Sequence, residues 1–141
     1  PAGIGSPIFD NLESIISSII FSIPGVKGIE FGEGFHAAEL MGSENNDSFY
    51  YDKNTVKTKT NRHGGILGGI SSGMPINFRV AMKPTPSISL EQDTIDLAQK
   101  KEVRLGIVGR HDPCIAARAV PVVEACCNIA LLSAIIKQKG I

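Results

Sequence analysis

Residues 61–73 carry five glycines in thirteen positions: Asn61-Arg62-His63-Gly64-Gly65-Ile66-Leu67-Gly68-Gly69-Ile70-Ser71-Ser72-Gly73. Ordering such a segment costs backbone entropy, so its glycines need a reason, either positive φ or close approach of the backbone to something flat or anionic. The run contains no GxGxxG and no Gly-Lys-Ser/Thr, so it is neither a dinucleotide fingerprint nor a phosphate loop. A second constraint lies at Gly109-Arg110-His111-Asp112-Pro113, between an alternating apolar run and the longest helix-like stretch. It sets a fixed cation, an imidazole and a carboxylate side by side at a strand-to-helix turn, where ligands tend to bind.

The rest of the composition narrows the partners. The chain has 141 residues, enough for one domain with a sizeable core. Its 14 Lys and Arg balance 14 Asp and Glu, so net charge proposes neither nucleic acid nor an anionic membrane, and an anion site must come from local placement. Cys114, Cys126 and Cys127 lie in one apolar stretch without paired spacing and read as core residues of a reduced, cytoplasmic protein. No charged-then-apolar leader opens the chain, and Glu124 and Asn128 interrupt the apolar run after Val120, so neither a signal peptide nor a membrane span is expected. The start at Pro1 rather than Met points to a piece of a longer polypeptide.

Ser6-Pro7 reads as a helix start, with Ile8, Leu12, Ile15, Ile16, Ile19 and Ile23 following at helical spacing until Pro24-Gly25. Val26–Phe31 reads as a short strand, and Gly32 and Gly34 flank a turn before a brief helix over 36–41, stopped at Gly42-Ser43. Residues 44–60 form a surface excursion, polar at first and ending in an exposed edge strand that its lysines blunt. Ile76, Phe78, Val80 and Met82 share one strand face, and Val103, Leu105 and Ile107 alternate again. From Pro113 onward the pattern is helical, and Pro121 either kinks one long helix or divides a short turn from the main one. The sum is an α+β chain.

Among candidate site residues, Asp112 before Pro113 is either a helix cap or an acid/base carboxylate, and the roles are not exclusive. Arg110 beside the helix start makes an anion site. Lys83-Pro84-Thr85-Pro86-Ser87 leaves its strand extended, offering an ammonium and two hydroxyls to a phosphate. The glycine-rich run one strand earlier suits the same planar, phosphorylated guest. His111 is more often a turn residue than a catalyst, and His36, His63 and His111 are not at metal-ligand spacing. From residues alone the reading is an α+β domain binding a phosphate-bearing ligand through backbone amides, Lys83 and Arg110.

The blocks Ser22-Ile-Pro-Gly-Val-Lys-Gly28, Gly32-Glu-Gly-Phe35, Gly42-Ser43 with Asn46-Asp47, Thr60-Asn61, Gly64 to Gly73, Lys83-Pro-Thr85, and Gly109-Arg-His-Asp-Pro-Cys114 running into Arg118-Ala-Val-Pro-Val-Val-Glu-Ala125 occur in an order that closely resembles the C-terminal portion of chorismate synthases. The resemblance covers essentially residues 1–141. It implies part of a β-α-β sandwich with helices between antiparallel sheets, in a cytoplasmic homotetramer without nucleic-acid or membrane partners. It implies the anti-1,4-elimination of phosphate from 5-enolpyruvylshikimate 3-phosphate to give chorismate, a step of the shikimate pathway that requires reduced FMN without net redox change; NADP is a further association of the family.

By the same resemblance, Asp112 corresponds to the carboxylate that assists proton removal, and Arg110 to an arginine contacting flavin and substrate. Lys83, Pro84, Thr85, Pro86 and Ser87 correspond to the flavin-binding segment, with further cofactor contacts at Pro24, Gly25, Asn61 and Gly68. His111 lies in the signature without an assigned role, because the family's two acid histidines and its phosphate-holding arginines belong to an N-terminal half. Departures from the usual pattern are Pro24-Gly25, Arg62-His63 and Pro86. Two functions follow: an enzyme when the N-terminal half is present, or a flavin- or phosphate-binding module without catalysis.

Overall fold

The computed structural model describes residues 1–140. In chain order the elements are a 3₁₀ turn at Ile8–Asp10, α1 (Leu12–Ile20), β1 (Val26–Phe31), a 3₁₀ turn at Gly34–Glu39, α2 (Gly42–Asn45), β2 (Phe49–Asp52) and β3 (Thr55–Thr58). There follow β4 (Ile66–Leu67), β5 (Ile70–Ser71), β6 (Phe78–Met82), β7 (Gln92–Asp96), β8 (Lys101–Leu105) and α3 (Ala116–Lys139). The strands form four antiparallel pairs, β1 with β6, β2 with β3, β4 with β5 and β7 with β8. A nine-residue helix and a 24-residue helix with antiparallel ladders make this an α+β fold, as the sequence implies.

The core is a helix pair laid on one ladder. Leu12, Ile16 and Ile20 occupy one i, i+4 row of α1 and are fully buried, each worth about 1.5–3 kcal/mol. On α3 the facing residues include Ala130 and Ala134, also four apart, whose methyl groups let the helices close. Val26, Ile29, Phe31, Val80 and Met82 complete this core from β1 and β6. The ladder runs from Val26 opposite Met82 to Phe31 opposite Phe78, with a bulge at Lys27. A tilted pair of rings, centroids 5.7 Å apart, closes the Phe31–Phe78 end.

Several boundaries differ from the sequence reading. The α1 cap is Asn11, not Ser6: the Asn11 side-chain oxygen accepts from Ser14 N–H at 2.6 Å. Pro7 is extended and Ile8 turns with φ +68°, which stops a helix from propagating out of Ser6-Pro7. Nor does Asp112-Pro113 start the last helix. That helix begins at Ala116, after Ile115, without a side-chain cap, so the capping explanation of Asp112 falls away. The 44–60 excursion holds the end of α2 and a hairpin, β2–β3, anchored where Thr58 is buried. Gly42-Ser43, read as a stop, instead opens α2.

α3 passes through Pro121 as one helix, losing only the hydrogen bond that a residue 121 N–H would give to Ala117, and ends at Gly140 with φ +69°. It is apolar on more than the side that faces α1: Val120, Val122, Ile129, Leu132 and Ile136 are exposed. By length and composition it could cross a membrane despite Glu124 and Asn128. Its Ala130–Ala134 face, however, packs on α1 as a core helix does.

Candidate active site

The turn after α1 builds the first part of the site. Gly25 has φ +93°, and its carbonyl accepts the Lys83 N–H at 2.8 Å, tying the exit of β6 to the Pro24-Gly25 turn. A Cβ at Gly25 would stand 3.0 Å from Ile115 Cδ1 and 3.4 Å from Met82 Cε, so a side chain there would crowd the approach to α3. Pro24 is exposed at the same corner. Lys83 emerges exposed beside it, and among the described residues it pairs with no carboxylate.

The segment leaving β6 then reaches the signature pentad. Between Pro84 and Pro86, the Thr85 hydroxyl is buried and finds no hydrogen-bond partner. Ser87 Oγ lies 3.2 Å from His111 Nδ1, and His111 Nε2 lies 3.1 Å from the Ile107 carbonyl. Asp112 Oδ2 accepts from the Arg118 guanidinium, in the first turn of α3, at 2.9 Å. Arg110 is exposed and, among the described residues, unpaired, whereas Arg79, Arg104 and Arg118 each face a carboxylate. Four stretches thus meet: Pro24-Gly25, Lys83–Ser87, Arg110–Asp112 and the start of α3.

Asn61 and Gly68 are not brought to that corner. The glycine-rich run attaches to the opposite, Phe31–Phe78 end of the ladder, where the Gly32 N–H donates to Asn77 O at 2.9 Å and the Asn77 N–H donates to Gly64 O at 3.0 Å. Five strand steps, about 16 Å, separate the two ends. The sequence puts the run and Lys83 at neighbouring strand ends, but the run enters β6 and Lys83 leaves it, and a strand's two ends point apart. The paired glycines have a packing reason: Gly68-Gly69, at φ +60° and +85°, make the tight turn between β4 and β5. A Cβ at Gly69 would fall 2.4 Å from Asn11 Cβ, whereas Gly68 faces open space.

At this second end a clamp holds Asn61 from both sides. Asp47 accepts from the Thr60 hydroxyl, from Arg62 N–H at 3.0 Å and from His63 N–H at 3.0 Å. Burial alone would raise the Asp47 carboxyl; these hydrogen bonds, with attraction to the His63 ring, outweigh it and hold its pKa below the usual carboxylate range. The Asn61 amide donates to Pro75 O at 2.9 Å, leaving its own buried oxygen without a partner. Sequence reasoning missed both this clamp and the Ser87–His111 contact. Asn46-Asp47 was visible only as part of a motif, and no local pattern links residues so far apart.

Fold and site together define an α+β chain in which, among the described residues, Lys83 and Arg110 stand without carboxylate partners, Asp112 is an exposed carboxylate ahead of α3 and the Thr85 hydroxyl is unsatisfied. The family model described as chorismate synthase matches residues 1–136. A chorismate synthase of Dehalococcoides mccartyi is 54% identical over 93% of this chain and 36% of its own length. One of Methanococcus aeolicus is 52% identical over 97% of this chain and 37% of its own length. A crystal structure of chorismate synthase superposes with a TM-score of 0.76 at 30% identity, covering 98% of this chain and 34% of that one. The chain belongs to the chorismate synthase family, and it spans little more than a third of the length of these relatives.

Proposed function

We propose that this chain is the part of a chorismate synthase that carries one wall of the flavin site and the carboxylate serving proton transfer. The whole polypeptide would eliminate phosphate from 5-enolpyruvylshikimate 3-phosphate to give chorismate, as a cytoplasmic homotetramer. The observation that carries the reading is the meeting of Pro24-Gly25, Lys83–Ser87 and Arg110–Asp112 at one corner. The groups found there suit a phosphorylated flavin: among the described residues, Lys83 and Arg110 lack carboxylate partners, and Thr85 Oγ1 is a buried polar atom without a hydrogen-bond partner.

Reduced FMN, when bound, would supply the transient electron density that loss of an allylic phosphate requires. Lys83 and Arg110 would set positive charge where anionic oxygen collects, which lowers the barrier most where water is excluded. Asp112 would assist the removal of the substrate ring's proton, with the Arg118 guanidinium donating to its carboxylate at 2.9 Å and orienting it. Pro84 and Pro86 fix the strap between the two cationic groups, so that binding does not have to order it. Asn61 and Gly68 would join the site only for a ligand long enough to span the ladder.

The test is chorismate formation by the full-length polypeptide from 5-enolpyruvylshikimate 3-phosphate and reduced FMN, followed by absorbance. Turnover that disappears without reduced flavin is the expected result. Flavin binding with no turnover in the full-length protein would instead establish a non-catalytic binding module.

A further inference from the structure

His111 stands inside the signature pentad, and its two ring nitrogens are both engaged. Ile107 offers a carbonyl, which can only accept, at 3.1 Å from Nε2; in the neutral ring Nε2 therefore carries the proton. Nδ1 is then the lone-pair site, and Ser87 Oγ at 3.2 Å is the donor to it. The result is a directed chain from the Ser87 hydroxyl through the imidazole to the Ile107 carbonyl. It joins the strap that leaves β6 to the loop that carries Arg110 and Asp112, 24 residues further on.

We propose that His111 is a positioning residue, a clasp that holds Arg110 and Asp112 against the Lys83–Ser87 strap through the Ser87 hydroxyl. The inference rests on the functional reading above, since what the clasp aligns is the corner assigned there. It follows from what else could hold this loop. A Cβ at Gly109 would meet nothing within 4 Å beyond its own chain neighbours, Val108 is fully exposed, and Arg110 is unpaired among the described residues. The Asp112–Arg118 pair ties the loop to α3 but not to the strap. The link from strap to pentad through side chains is Ser87–His111.

A clasp of this kind makes a demand on residue chemistry that simple packing would not make. Position 111 must present an acceptor to Ser87, and position 87 must present a donor. Asn at 111 offers its amide oxygen near the place of Nδ1 and so keeps the acceptor, while Ala keeps nothing. Losing one net hydrogen bond corresponds to about fivefold in an equilibrium.

The experiment uses the full-length polypeptide in four forms, wild type, Ser87→Ala, His111→Ala and the double variant, with His111→Asn as the rescue. Flavin affinity is read by fluorescence titration with FMN, and hydrogen exchange of the 107–112 amides is read in protein free of flavin. Expected are a loss of affinity of about fivefold for each alanine variant, no further loss in the double variant, and faster exchange over 107–112. His111→Asn should restore both properties when Ser87 is present and neither when it is alanine. Additive losses, or an asparagine variant that behaves as alanine does, would overturn the clasp. The exchange measurement also separates this proposal from the functional one: a full-length protein that never makes chorismate would refute the reaction, yet coupled exchange at 87 and 111 would still support the clasp.

Discussion

The carboxylate of Asp47 reaches sixteen residues along the chain to the backbone N–H of His63, at 3.0 Å, while the His63 ring turns back to within 3.5 Å of the same oxygen. His63 Nδ1 meanwhile accepts from Gly65 N–H at 2.9 Å, so one aspartate and one histidine organise the entrance to the glycine-rich run. Asp47→Asn would set an amide NH₂ against backbone donors, and Asp47→Ala would leave them unsatisfied. Each substitution should cost about 2 kcal/mol, read as a lowered urea midpoint. An unchanged midpoint would show that the clamp contributes nothing.

The same clamp has a pH signature. Because the folded carboxyl of Asp47 has a lowered pKa, its contribution to stability is complete above the ordinary aspartate value of about 3.9 and is lost as pH falls through the depressed folded value. The gap between the urea midpoints of wild type and Asp47→Asn should therefore begin to narrow as pH falls below about 3.9 and close only below the depressed folded value. A gap that stays constant to lower pH would contradict the assignment.

Asp112 separates chemistry from stability more cleanly than its sequence context promises. It caps no helix, and its partner Arg118 is exposed, so the pair is worth about 0–1 kcal/mol. In the full-length enzyme Asp112→Asn should lower kcat by about a hundredfold or more, with flavin affinity and melting temperature little changed. A normal rate with a lower melting temperature would make the residue structural.

Lys83→Ala should act the other way, weakening flavin or substrate binding by about tenfold while leaving much of kcat. Titration of the full-length variant with FMN, alongside KM for the phosphorylated substrate, checks this. A loss confined to kcat would place Lys83 in the chemical step.

The 141-residue chain by itself should make no chorismate from the substrate and reduced FMN, since the acid histidines and phosphate-holding arginines expected of the family lie outside it. Detectable turnover by the purified chain would refute this.

What could be read from the sequence followed the periodicities. The alternation of Phe78, Val80 and Met82 found β6, and the helical spacing that runs through Leu12 and Ile16 found α1 and two members of its buried row, though not Ile20, because burial on one face writes itself into composition. β2 was invisible, since Phe49-Tyr50-Tyr51 does not alternate, and β7 carries a single large apolar residue, Ile95. β4 and β5 are two residues long and owe their existence to the turn geometry of Gly68-Gly69 rather than to any pattern. Lys83, Arg110 and Asp112 were legible as candidates from residue type and neighbours. The contacts that join their stretches were not, because they depend on Gly25 accepting from Lys83 and on Ser87 finding His111.

The N-terminal strand of chain is stitched to parts made much later. Ser71 Oγ donates to Pro1 O at 2.6 Å, Gly3 N–H donates to Ser71 O, Gln138 donates to Gly3 O, and the buried row of α1 rests on Ala130 and Ala134. During synthesis α1 leaves the ribosome more than a hundred residues before its partner, too short and too greasy to stand alone. Folding of this part is therefore gated by completion of α3, and a premature stop ahead of Ala130 would release an exposed isoleucine row to chaperones and proteases rather than a smaller folded protein.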